Sequence, residues 1–205
     1  IIAYPKAWSS PSKGSGQVIY LDVKTMNDLD KYKGKLKGKF VLLDSIRTVE
    51  EAFEPTAKRH DSESLLNLAN ANLPVPRDFS RRGGGNSDAA DLRKATWDLL
   101  EAEKPLGVLD RSYKGDLGTV FVSGARTAEG SARDKDKYVV PQMTLAIEHY
   151  NRIFRMLDKG VPVTLSIDSQ SQYTNPSGNE HNVIAEIHGT DLKDEVVMFG
   201  AHYDS

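Results

Sequence analysis

Apolar and polar positions switch between a two-residue and a 3.6-residue period, and each switch marks an element. Gln17-Val-Ile-Tyr-Leu-Asp-Val23 alternates as a strand does, after a turn-rich loop over residues 9–16. Residues 27–32 suit a short helix, and Lys39-Phe-Val-Leu-Leu-Asp44 reads as a second strand, with Leu29, Tyr32 and Leu36 as apolar links. Over residues 48–72, Ala52, Phe53, Leu65, Leu66, Leu68 and Ala69 predict one or two helices, with His60-Asp61-Ser62 as cap and break. Residues 73–86 are rich in Pro and Gly and predict a mobile loop. From Asp88 the helical period returns, placing Leu92, Ala95, Thr96, Leu99 and Leu100 on one face. Ser87 or Asp88 can cap this helix and Pro105 stops it.

Gly107-Val-Leu-Asp110 and Thr119-Val-Phe-Val-Ser123 predict short strands, residues 126–137 a charged loop, and Tyr138-Val-Val-Pro-Gln-Met143 an extended segment. Thr144 is the expected cap of a helix whose stripe is Ala146, Tyr150, Ile153, Phe154 and Leu157, ended by Gly160. Val161-Pro-Val-Thr-Leu-Ser-Ile167 is a strand, and residues 173–180 are a linker. Asn182-Val-Ile-Ala-Glu-Ile-His-Gly-Thr-Asp191 and Glu195-Val-Val-Met-Phe-Gly-Ala-His202-Tyr-Asp204-Ser205 then predict a hairpin. Its strands are apolar on both faces, as in strands buried within an α/β sheet.

Length sharpens this picture: 205 residues hold one full domain and part of a second. Apolar content of 39 % and charged content of 27 % are ordinary for a soluble protein, and no stretch reaches the roughly 18 apolar residues of a membrane span. The formal net charge is −2, and the basic residues read as scattered apart from a cluster of Arg77, Arg81 and Arg82. Nucleic acid and anionic membranes are therefore not expected partners. Cysteine is absent, so any metal must be held by His, Asp or Glu. The chain starts at Ile1 with neither an initiator Met nor a signal peptide, as a processed or trimmed piece would.

The chemistry worth following is His202-x-Asp204. Side chains two apart on a strand share a face, so the Asp can accept from the imidazole nitrogen that a metal leaves free. Other candidates fall away. Gly83-Gly-Gly85 lacks the Lys-Ser or Lys-Thr of a phosphate loop, Ser123-Gly124 lacks the frame of a hydrolase elbow, and Asp134-Lys-Asp136 lacks the Gly and Glu of a calcium loop. His60 reads as part of a helix cap, His149 as a rim residue, and His181 and His188 as bystanders of the hairpin. Trp97 reads as packing.

With its flanks, the hairpin resembles the opening of the co-catalytic two-zinc aminopeptidases, the superfamily of glutamate carboxypeptidase and the transferrin receptor. The resemblance implies that His202 is a zinc ligand and that Asp204 supports it. It also implies a site of two zinc ions that activates water for peptide hydrolysis, completed by ligands and a Glu base downstream of residue 205. Leu36-Lys-Gly-Lys-Phe-Val-Leu-Leu43 and Val140-Pro-Gln-Met-Thr144 resemble a protease-associated domain, which in that family shapes access of peptide to the cleft. The expected fold is thus mixed α and β. A protease-associated β/β/α domain over 9–175, with a helical insertion at about 48–86, precedes the hairpin of a truncated α/β zinc peptidase domain at 181–205. On this reading the chain itself is inactive, self-association through the hairpin is open, and the parent is periplasmic or secreted. The rivals are an interaction module of a catalytically dead, receptor-like homologue and a free-standing peptide-binding module.

Overall fold

Phe40, Val41 and Leu42 are all buried, and their strand occupies the middle of a six-stranded sheet whose strands lie in the order Ala3–Pro5, Gln142–Leu145, Gly107–Arg111, Phe40–Leu42, Ser12–Tyr20, Thr164–Ser169. The computed structural model describes residues 1–51, 53–55, 57–72, 87–131, 136–174, 179 and 181–202. Its strands are β1 (Ala3–Pro5), β2 (Ser12–Tyr20), β3 (Phe40–Leu42), β4 (Gly107–Arg111), β5 (Arg126–Thr127), β6 (Gly130–Ser131), β7 (Gln142–Leu145) and β8 (Thr164–Ser169). The helices are α1 (Ser62–Ala69), α2 (Ser87–Glu103) and α3 (Ile147–Asp158), with a 3-10 helix at Met26–Lys31. The chain divides into two units, Ile1–Tyr173 and Thr174–Ser205.

In the first unit β2, β3, β4 and β7 run parallel, while β1 and β8 add antiparallel edges. Strand parity sorts the core. Phe40, Leu42, Leu109, Met143 and Leu145 pack with Tyr150 and Ile153 of α3 on one face. Val41, Val108 and Val140 pack with Trp97 and Leu100 of α2, and with Leu36, on the other. The sheet therefore carries helix on both sides, which is why its central strands read as unbroken apolar runs. β2 turns between partners: residues 12–17 pair with β8 and residues 18–20 with β3. Gly16 permits this bend, because a Cβ there would lie 2.2 Å from the Gly38 carbonyl oxygen and 2.8 Å from Leu106 Cδ1.

Several expectations are corrected. Residues 12–16 belong to β2 and not to a loop. Thr119-Val-Phe-Val-Ser123 forms no strand: Gly115, Leu117 and Gly118 all have positive φ, and Phe121 N–H donates to Ser112 Oγ at 2.9 Å instead of to a ladder. The charged stretch after it contains the β5–β6 ribbon, pinned by the buried Gln142 side chain. That side chain accepts from Arg126 N–H at 3.0 Å and donates to the Arg126 carbonyl at 2.7 Å. Thr144 does not cap α3, because it lies in the β7 ladder opposite Tyr4 and Asp110; the N-cap is Ala146. Asp61 does cap α1, accepting from Ser64 N–H at 2.8 Å.

In the second unit the expected hairpin is absent from the described residues. No strand is present at 182–187 or 195–199, and a turn there is closed by Glu195 N–H on the Leu192 carbonyl at 3.0 Å. Two strands with no third and no covering layer are marginal in water, which accounts for the missing ladder. The Pro- and Gly-rich residues 73–86, with Arg77, Arg81, Arg82 and Gly83-Gly-Gly85, lie outside the described residues.

Candidate functional site

His202 is exposed, and Asp204 lies outside the described residues. Among the described residues no group of three His, Cys, Asp or Glu is placed to hold a metal ion. Zinc sites take three or four protein ligands, so the described part of this chain does not fit a zinc ion, and still less two. His188 Nδ1 lies 3.3 Å from Glu186 Oε1 with both side chains exposed, and His60 Nδ1 lies 3.3 Å from Ser64 Oγ beside the α1 cap. His149 Nδ1 accepts the Ile2 N–H at 3.0 Å.

A different constellation forms where β3 and β4 end. Leu42 stands opposite Leu109, so Asp44 and Asp110 emerge near each other at the carboxyl ends of adjacent parallel strands. In open α/β sheets that end is where ligands are commonly bound. Lys6, with a side chain only 2 % exposed, forms an ion pair with Asp110, so neither charge is buried alone. Arg111 Nε stands 3.9 Å from Asp44 Oδ2. Burial pushes the Asp44 carboxyl above its ordinary range, and the charge on Asp110 adds to this; Arg111, Lys6 and Arg126 oppose it. A groove of about 300 Å³ opens here, lined by Leu43, Asp44, Asp110, Arg126, Arg93 and Trp97.

Hydrogen bonds tie down the loops beyond these strand ends. Tyr150 Oη donates to the Asp44 carbonyl at 2.6 Å and accepts from Asp44 N–H at 3.0 Å. Asn151 accepts from Arg47 N–H at 3.2 Å and donates to the Arg47 carbonyl at 2.7 Å, while Arg47 Nε donates to the Ser112 carbonyl at 3.2 Å. Together these hydrogen bonds and the Lys6–Asp110 ion pair hold the chain after β3 and β4 in place.

No protein-family model and no curated protein matches the sequence. Among solved structures the chain is similar to an aminopeptidase from Aneurinibacillus sp. strain AM-1, with 15 % identity and a TM-score of 0.40, covering 81 % of this chain and 27 % of that one. It is also similar to a peptidase M28 precursor from Shewanella amazonensis SB2B, with 14 % identity and a TM-score of 0.43, covering 82 % and 30 %. The chain thus spans less than a third of either protein.

Reading the basic residues as scattered misses one cluster that the structure makes plain. Lys31-Tyr-Lys-Gly-Lys-Leu-Lys-Gly-Lys39 places a lysine at every second position, five in nine residues. Its signal is the alternation itself. Leu36 is fully buried, so its neighbours Lys35 and Lys37 are held at the surface. Asp44 and Asp110 carried a fainter signal, each closing an apolar run as its first charged residue.

Proposed function

We propose that this chain is part of a zinc-dependent aminopeptidase. Residues 9–175 form a protease-associated domain that shapes peptide access without chemistry of its own, and residues 181–205 open the peptidase domain. The observation that carries the reading is the pair of strings ending in Gly-Ala-His202-Tyr-Asp204-Ser205, together with the state of their apolar side chains. Val183, Ile184, Ile187, Val196, Val197, Met198 and Phe199 are between 83 and 99 % exposed. Covering such surface is worth about 25 cal/mol per Å². Strands apolar on both faces belong inside an α/β sheet, and the rest of a peptidase domain would supply that cover. In this reading His202 is a ligand, Asp204 holds its imidazole in one tautomer, and the remaining ligands belong to the rest of that domain.

The test uses the protein that contains this chain. It is expected to bind zinc and to release N-terminal residues from aminoacyl anilides. His202→Ala should remove most of the bound zinc and the activity, and Asp204→Asn should reduce both by about 10–100-fold. Equal zinc content and equal rate in wild type and His202→Ala would contradict the assignment. The 205-residue chain alone, supplied with zinc, should show no peptidase activity.

A further inference from the structure

We propose that the loop over residues 31–39 is a binding site for a phosphate group, held by Lys35, Lys37 and Lys39. The loop leaves the 3-10 helix, turns at Gly34 and Gly38, both with φ of 73°, and enters β3. Leu36 anchors its centre with no exposed surface, so the lysines on either side are displayed from a fixed backbone. Lys31, Tyr32, Lys35, Lys37 and Lys39, with Ile19, line one concavity of about 530 Å³.

The charges of this segment divide in two. Lys24, Lys31 and Lys33 are matched by Asp22, Asp28 and Asp30 at 3.4, 2.5 and 2.6 Å. Lys35, Lys37 and Lys39 have no carboxylate partner among the described residues. Lys35 Nζ donates to the Lys31 carbonyl at 2.7 Å, Lys39 Nζ donates to Gln17 Oε1 at 3.2 Å, and Lys37 Nζ has no partner among the described residues. Each ammonium carries three donors, so every one of them keeps at least two for a ligand. Three like charges gathered on a chain of net charge −2 repel one another, and a multiply charged oxyanion relieves that repulsion. The backbone of the same loop already holds one oxyanion: the Glu103 carboxylate accepts from Gly34 N–H and Leu36 N–H. Lysine suits a tetrahedral phosphate approached from several sides, since it acts as a point charge and needs no bidentate geometry.

The phosphate can come from a soluble molecule or from a lipid headgroup, and two arms separate them. In the first, the full chain is titrated with inorganic pyrophosphate by calorimetry, with amide shifts recorded over residues 31–39. In the second, it is sedimented with phosphatidylcholine vesicles with and without phosphatidylserine. Binding in either arm should weaken with added salt, and by about a hundredfold in the K35Q/K37Q/K39Q variant. It should be unchanged in K13Q, since Lys13 is exposed and paired with Asp168 at 2.7 Å. Equal melting temperatures confirm that the variants fold. Pyrophosphate binding lost in the triple variant supports a soluble ligand, and serine-dependent vesicle binding alone supports a headgroup. Absence of binding in both arms, or binding that the triple substitution leaves unchanged, overturns the proposal.

Discussion

Tyr150 shows how much one side chain does at the residue scale. It is fully buried, and its hydroxyl satisfies both backbone groups of Asp44. Burial drives its phenol far above the ordinary range, so it stays a neutral donor at any working pH. Tyr150→Phe keeps the ring but strands the N–H and C=O of Asp44, and is expected to cost about 1–3 kcal/mol in urea unfolding. The Asp44 side chain has the opposite character. Its carboxyl is raised above 3.8, so the folded state holds the proton more tightly than the unfolded state does. Stability from this group is complete below 3.8 and is lost as pH rises through the folded value. Asp44→Asn does not titrate, so its melting temperature should gain on wild type as pH climbs through that window and then run parallel. A constant difference across the whole pH range would refute this. None of this pairing was legible in the sequence, where Asp44 is only the end of a strand; Tyr150 stands 106 positions away and is joined to it by the fold alone.

Elements were legible where a long period ran through them. α2, α3, β3 and β4 are legible close to their observed bounds, because each has several apolar residues on one face or one unbroken apolar run, whereas β8, expected over 161–167, runs from Thr164 to Ser169. β1, β5 and β6 are not, since they are two or three residues long with no apolar run such as β3 has, and exist only through their ladder partners. Pro5 in β1 argues against a central strand, and an edge is where the fold places it. α1 was foreseen from its cap, yet it has no buried residue, and Leu65, Leu66 and Leu68 are all exposed. Asp61→Ala should therefore separate local from global stability. Losing an N-cap costs a helix about 0.5–2 kcal/mol. Amide exchange within α1 should accelerate, while the cooperative melting temperature stays put. A matching drop in that temperature would mean α1 is integral to the core.

At the scale of the whole molecule, the two units differ in what they bury. Ile1–Tyr173 has helix on both faces of its sheet, whereas the described apolar residues of Thr174–Ser205 face water. Ending the chain after Tyr173 is expected to leave the melting temperature of the first unit unchanged and to reduce light-scattering signs of association at high concentration. Unchanged association after trimming would place its cause in the first unit. His202 and Asp204 are legible only as a string, because a ligand set is a three-dimensional object and no group of three ligating side chains forms among the described residues.

The ladders at the two edges of the sheet also set when the molecule can fold during its own synthesis. β1 pairs Ala3 with Leu145, and β2 pairs Ser12 with Ser169. Neither ladder can form until its second strand has left the ribosome, a wait on the order of ten seconds at about 5–20 residues per second. Throughout that interval β1 has no partner and residues 12–17 of β2 present an open edge, although residues 18–20 can already pair with β3. Pairs this distant in sequence raise the contact order of the sheet, so its two edges are the last parts of the ladder to close.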